Sequence, residues 1–165
     1  MLLQHSVAAP DFGTIYSILK SGKLKSSSIT KNIRMFGWEE GSPYVFLNIK
    51  ELVKNYWTRF VINSDFLLTK KFCLNLGWQA DCDKGSIIDG KKLTKYKLNK
   101  ILKEYKDKIN ITDEFDTMSH EILVLKNIDL KEYLKEVHIT IELNEEERKK
   151  IERISKKYPR VKFIF

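Results

Sequence analysis

Three features far apart in the sequence combine chemically useful side chains with a strand-like context: His5, the aromatic segment PYVFLNI over 43–49, and Glu121. Glu121 opens the apolar run 122–125. An unpaired buried carboxylate is costly, so a Glu in this place is usually paired, at an exposed edge, or functional. A carboxylate stabilises developing positive charge, an aromatic ring packs against a flat group, and an imidazole orients a ligand through hydrogen bonds. Taken singly, each residue is more commonly structural.

Local motifs for other chemistries are absent from the sequence. There is no GxxxxGK[ST] phosphate-binding loop and no GxSxG nucleophile elbow. His5, His120 and His138 are dispersed and form no HExxH pattern, so no metal is expected. Cys73 and Cys82 have the spacing C-x8-C without a nearby His, which fits no zinc site and predicts two reduced thiols.

Length favours a single domain spanning residues 1–165 with its own core, and the pattern of several short strands and about three helices predicts the α+β class. The 42% hydrophobic and 32% charged fractions exclude a membrane-spanning chain and argue against a disordered one. The segment MLLQHSVAAP lacks the cationic start of a signal peptide, which predicts a cytoplasmic location and no membrane partner. The net charge of +8 favours acidic partners such as nucleic acid or nucleotides.

The elements that must position these residues follow from periodicity and caps. A short strand is predicted around His5, followed by a helix over 11–21 that ends at Gly22. A long polar loop is expected over 25–42. Strands are also predicted over 44–49, over 59–68 with a turn at Asn63-Ser64-Asp65, and over 121–125, 137–143 and 160–165. Further helices are predicted over 51–56, 93–106 and 145–157, and Asn144 with Glu147 predicts a capping box at the start of the last one. A loop is predicted over 73–92.

Three motifs, taken in this order, resemble those of the ADP-ribosyltransferase superfamily. The stretch LQHSVAAPDFGTIYSILKSGKL resembles the opening unit of that family, in which a strand with a His and a small hydroxyl residue precedes a helix. GSPYVFLNI resembles the second motif, a glycine followed by an aromatic strand, and HEILVLKNIDLKEYL resembles the third, a Glu that opens a strand. The resemblance covers most of residues 2–139. It implies a split antiparallel β-sandwich with about three helices.

The resemblance also implies roles for individual residues around a bound NAD, which would be the substrate. His5 and Ser6 would hold the adenosine half, and either Tyr44 or Phe46 would stack on the nicotinamide ring. Glu121 would hydrogen-bond the 2′-hydroxyl of the nicotinamide ribose and stabilise the oxocarbenium-like charge. Arg34, like its neighbours in the loop 25–42, is a candidate for the pyrophosphate.

The sequence departs from the family pattern in two places. GSPYVFLNI lacks the commonest glycine-hydrophobic-Tyr-Phe order, which is why Tyr44 and Phe46 both remain candidates. Ser119 stands two residues before Glu121, where relatives that modify arginine carry a second acidic or amide residue. Positions i and i+2 share a face of a strand. The substitution therefore argues against arginine as the acceptor and leaves a nucleic acid or another protein group.

Three functions are open at this point. The first is an NAD-dependent ADP-ribosyltransferase that releases nicotinamide and modifies a nucleic-acid or protein acceptor. The second is a catalytically inactive module of the same fold that binds a nucleotide or nucleic acid. The third is a basic nucleic-acid-binding protein without such a cleft, whose binding would survive loss of His5 and Glu121.

Overall fold

The computed structural model describes residues 1–7, 10–26, 43–52, 57–76, 82, 85–109 and 120–165. Its strands are β1 Leu2–Ser6, β2 Lys23–Leu24, β3 Tyr44–Ile49, β4 Arg59–Asn63, β5 Lys71–Leu74, β6 Ile88–Asp89, β7 Ile122–Leu125, β8 Ile128–Asp129, β9 Leu134–His138 and β10 Lys162–Ile164. Its α-helices are α1 Phe12–Ser21, α2 Lys95–Lys108 and α3 Glu145–Ser155, and three short 3-10 helices cover Lys50–Leu52, Ser64–Thr69 and Gly90–Lys92. The candidate residue Arg34 and the departure from the family pattern at Ser119 lie outside the described residues.

The ends of the first and last helices follow from local side-chain chemistry, as predicted. The Asp11 carboxylate accepts a hydrogen bond from the Thr14 amide at 2.8 Å, which caps the start of α1. Gly22 ends that helix in the left-handed region at φ 66°, a conformation that glycine adopts without a Cβ penalty. At α3, Asn144 and Glu147 form the predicted reciprocal capping box.

One mostly antiparallel sheet of eight strands organises the described residues, in the order β10-β9-β4-β1-β3-β7-β5-β6. Only the β9–β10 pair is parallel within it, and β2 and β8 form a separate two-stranded sheet. The α+β class is confirmed. Helix α3 connects β9 to β10 and provides the crossover connection that a parallel pair of strands requires.

Alternation along the strands divides the sheet into two faces. The helix face carries Val45, Leu47 and Ile49 of β3, which belong to the same buried cluster as the apolar residues of all three helices. On the second face a smaller cluster contains Tyr44, Cys73 and Leu123, with Phe46, Cys82 and Leu125 packed against it. A period of two along each strand places these residues on opposite faces.

The sheet divides between β1 and β3. These strands pair only at Leu3–Ile49 and Gln4–Asn48. Beyond that level β1 continues beside β4 as far as the Val7 amide, which donates to the Thr58 carbonyl. On the other side β3 stays paired with β7 to its first residue, Tyr44, which lies opposite Leu125. The two halves of the sheet therefore diverge from His5 onward.

Several predicted element boundaries are wrong. The strand predicted over 137–143 lies earlier, at Leu134–His138, and the loop predicted over 73–92 contains the end of β5, the short strand β6 and a 3-10 turn. The strand predicted over 59–68 breaks at the predicted turn, since β4 ends at Asn63, but a 3-10 helix at Ser64–Thr69 replaces its second half. The described part of the helix predicted over 51–56 is likewise a 3-10 turn, Lys50–Leu52.

The prediction of two reduced thiols is also wrong. Cys73 and Cys82 form a disulfide, with their Cα atoms 6.0 Å apart. This separation lies within the range that a disulfide spans without backbone distortion. The bridge lies on the second face of the sheet, where both cysteines pack beside Tyr44 and Leu123.

No helix within the described ranges is both long enough and apolar enough to cross a membrane.

Candidate functional site

His5 lies where β1 leaves β3, and its imidazole bridges the two strands. Its Nδ1 atom is 2.9 Å from the Phe46 carbonyl oxygen. A carbonyl only accepts, so Nδ1 carries the proton and donates it. Burial lowers the pKa of His5, against the smaller opposing effect of this hydrogen bond. The neutral ring therefore keeps Nε2 as a hydrogen-bond acceptor.

Glu121 immediately precedes β7, on the other side of β3 from His5. The Asn75 amide donates to the Glu121 carbonyl oxygen at 2.9 Å, which extends the pairing of β5 with β7 by one residue. Burial raises the pKa of the Glu121 carboxyl to about 7. Burial raises the pKa of the Tyr105 phenol, and the nearby Glu121 carboxylate raises it further. Glu121 is partly buried and does not extend into bulk water.

The strand register distinguishes the two aromatic candidates. Phe46 lies opposite Leu123, and Tyr44 lies opposite Leu125. Glu121 is therefore the diagonal neighbour of Phe46, at a typical separation of about 7–8 Å. Tyr44 lies two residues further along β3 from Glu121 than Phe46 does. Tyr44 is also the more buried ring, within the cluster around Cys73. Register and packing together bring Phe46 rather than Tyr44 towards Glu121.

A row of polar side chains crosses four strands at the level of Glu121. Gln4 pairs with Asn48, and the registers of β3 with β7 and of β5 with β7 continue this row to Glu121 and Asn75. The Asn48 side-chain amide donates to the His120 carbonyl oxygen at 3.1 Å and so fixes the residue before Glu121. Gln4 is 1% exposed, and its Oε1 atom has no hydrogen-bond partner within the described ranges.

Gln4 and Asn48 were not identified from the sequence as part of the candidate site. The available signal was an amide side chain within an apolar strand, as in LLQHS and YVFLNI. Buried amides need hydrogen-bond partners, so such positions mark either a polar network or a ligand site. The amides share a row with Glu121 only because of strand register, which local sequence does not reveal.

Ser6 extends the second face of β1 towards a further polar cluster. Its hydroxyl accepts from the Gln4 side-chain amide at 3.4 Å, and Ser6 pairs with the buried Arg59. Arg59 donates from Nη2 to His138 Nδ1 at 2.9 Å, and His138 Nε2 in turn donates to Glu136 at 2.7 Å. These bonds fix one neutral tautomer of His138, with the proton on Nε2.

His5 lies on a different face of the sheet from the other candidates. By the period of two along the strands, Ser6, Phe46 and Glu121 belong to the second face, whereas His5 shares the helix face with Leu3 and Val7. The His5 ring nevertheless turns to the β3 edge through its bond to Phe46. The candidate site is therefore centred on the divergence of the two half-sheets.

Comparison with known proteins finds solved structures with a similar fold. No protein-family model matches the chain, and no curated protein matches it in sequence. Among solved structures, the DarT protein of Thermus sp. 2.9 in complex with ADP-ribosylated ssDNA has a TM-score of 0.53 at 12% identity, covering 99% of this chain and 93% of that one. The same protein in complex with carba-NAD+ gives a TM-score of 0.54 at 13% identity, covering 99% and 95% of the two chains.

A solved structure from a second organism has a similar fold. DarTG of Thermosipho africanus in complex with ADP-ribose has a TM-score of 0.50 at 11% identity, covering 98% of this chain and 48% of that one. The predicted resemblance to ADP-ribosyltransferases is thus confirmed at the level of fold, at low sequence identity.

Proposed function

We propose that this protein is an NAD-dependent ADP-ribosyltransferase that transfers ADP-ribose to DNA and releases nicotinamide. The observation that carries the proposal is the half-buried Glu121 carboxyl beside the point where β1 and β3 diverge, with Phe46 as its diagonal neighbour. The fold supports it, since similar structures hold NAD+ and ADP-ribosylated ssDNA.

The chemistry requires the C1′–N bond between ribose and nicotinamide to break. The bond electrons leave with nicotinamide, and the ribose acquires oxocarbenium-like positive charge. An acceptor atom of the nucleic acid then forms the new bond to C1′ and loses a proton. A carboxylate held beside the ribose stabilises the charged transition state more than the ground state. Glu121, in its ionised form, takes this role.

Neutral His5 suits a positioning role in this reaction. Its Nδ1 proton is committed to the Phe46 carbonyl, which leaves Nε2 to accept a hydrogen bond from a ribose hydroxyl. Ser6 lies next to it on β1 and would contact the adenosine half of NAD. Arg34, which lies outside the described residues, remains a proposed partner of the pyrophosphate.

Phe46 is expected to be the nicotinamide-stacking ring. Phe46→Ala should lower kcat/KM for NAD by about fivefold or more, because aromatic contacts contribute about 1 kcal/mol beyond buried area. Tyr44→Leu is the matched control, since it removes the alternative aromatic ring while keeping an apolar side chain at that position. Steady-state nicotinamide release distinguishes the two variants. A loss with Tyr44→Leu and none with Phe46→Ala would reverse the assignment.

The activity itself is tested by incubating the protein with NAD labelled in the adenine ring and a single-stranded oligonucleotide. Transfer of the label to the oligonucleotide together with free nicotinamide is expected. Nicotinamide release without transfer to DNA would instead indicate a different acceptor. Binding of NAD with no release would favour the catalytically inactive module.

A further inference from the structure

Most of the net charge of the chain is concentrated in one short segment. Residues 91–108, which comprise the end of a 3-10 turn and α2, contain eight lysines and two acidic residues. This segment therefore carries +6 of the total +8. One side of α2 packs into the core through Leu98, Leu102 and Tyr105. The lysines therefore lie on the outer surface of the helix.

Much of this charge is not neutralised by neighbouring acids. Three of the eight lysines have acidic partners: Lys95 pairs with Asp65, Lys100 with Glu104, and Lys106 with Glu51. Within the described ranges, five exposed lysines have no ion-pair partner: Lys91, Lys92, Lys97, Lys103 and Lys108. A solvated lysine face alone is ordinary, because such residues also keep a protein soluble.

Tyr96 distinguishes this surface from a merely soluble one. It is 78% exposed, in the first turn of α2 between Lys95 and Lys97. Helical spacing places Lys100 and Lys103 on the same outer face as Tyr96, at i+4 and i+7. An exposed aromatic ring among cations offers a stacking platform beside sites for phosphates, a combination that suits single-stranded nucleic acid.

The helix also connects this surface with the candidate site. At the other end of α2, the Tyr105 hydroxyl donates to the Asn75 carbonyl oxygen at 2.7 Å, and Asn75 pairs with Glu121. A helix of this length spans about 20 Å. The end of α2 that carries Lys106 and Lys108 therefore lies near the strand that precedes Asn75, and Tyr96 lies about one helix length away from it.

We propose that the outer surface of residues 91–108 is a binding track for single-stranded DNA, with Tyr96 stacking on a base and the flanking lysines contacting phosphates. The proposal rests on the proposed function for its choice of DNA. It adds a contact region outside the NAD cleft, which holds the acceptor strand before transfer.

The test measures binding of a fluorescein-labelled oligothymidylate by anisotropy, without NAD. Tyr96→Ala should weaken binding about tenfold, because stacking on an aromatic residue contributes about 1–3 kcal/mol per base. Tyr96→Phe should retain wild-type binding. The pair Lys92→Gln and Lys97→Gln should weaken binding and lower the slope of log affinity against log salt by about 0.7 per lost phosphate contact.

The matched control removes two exposed lysines elsewhere, Lys156→Gln and Lys157→Gln at the end of α3. If this pair weakens binding as much as the α2 pair, or if Tyr96→Ala binds like the wild type, the track is refuted. Stronger binding of oligouridylate or of duplex DNA than of the oligothymidylate would also refute it. Nicotinamide release without DNA should be unchanged in every surface variant. A wild type that releases none would refute the proposed function while leaving the binding result intact.

Discussion

Glu121→Gln is expected to lower the rate of nicotinamide release from NAD by about 10²- to 10³-fold, the usual cost of removing one electrostatic contact to a transition state. Gln keeps the shape and one hydrogen-bonding oxygen but removes the negative charge that opposes the oxocarbenium-like ribose. Because this charge acts mainly in the transition state, kcat should fall while the KM for NAD changes little. The measurement is steady-state nicotinamide release.

Glu152→Gln provides the matched control, since Glu152 is an exposed carboxylate on α3. It makes the same chemical change away from the strand divergence and should leave kcat unaltered. Retention of full activity by Glu121→Gln would remove Glu121 from the reaction. A rise in KM at constant kcat would assign it to substrate binding alone.

Glu121→Gln is also expected to change how stability depends on pH. Burial raises the folded-state pKa of Glu121 to about 7, from the ordinary glutamate value of 4.5. The neutral carboxyl therefore contributes stability that is fully present below pH 4.5 and is lost as the pH rises through about 7. The wild type should lose up to about 3 kcal/mol from this group across that window. The Gln variant, which does not titrate, should not.

Urea unfolding without NAD or reductant, at about pH 5 and about pH 8, measures this difference. Relative to the wild type, Glu121→Gln should gain free energy of unfolding at the higher pH. The Glu152→Gln control should show no such gain. Equal pH dependence of the wild type and Glu121→Gln would mean that the Glu121 carboxyl is solvated. The expected pattern, lower activity with higher stability, is typical of residues kept for function.

The sequence predicts helices and strands well where the residues that determine their ends lie within a few positions. The ends of α1 and α3 follow from caps at Asp11, Gly22 and Asn144, which act within a few residues. Strand β9 was predicted too late because an alternating apolar pattern continues beyond it. Its true extent, Leu134–His138, is set by pairing with β4, where the register shifts between Val61 and Ile62. Such pairing depends on distant sequence.

The candidate site shows the same division. His5, Phe46 and Glu121 were identifiable because each combines a chemical group with a strand context. The preference for Phe46 over Tyr44 required the register of β3 with β7, and the polar row through Gln4 and Asn48 required pairing across four strands. Neither is encoded at short range. The disulfide was missed for a related reason, since spacing alone does not give the distance between two Cα atoms.

The limited pairing of β1 with β3 has a mechanical consequence. Each half of the sheet has four strands, and the halves are joined laterally through two residue pairs and the His5–Phe46 hydrogen bond. This boundary has fewer residue pairs than any other boundary between internal strands of the sheet. The two halves nevertheless share one buried cluster on the helix face, so a ligand entering between β1 and β3 would meet an opening backed by a continuous core.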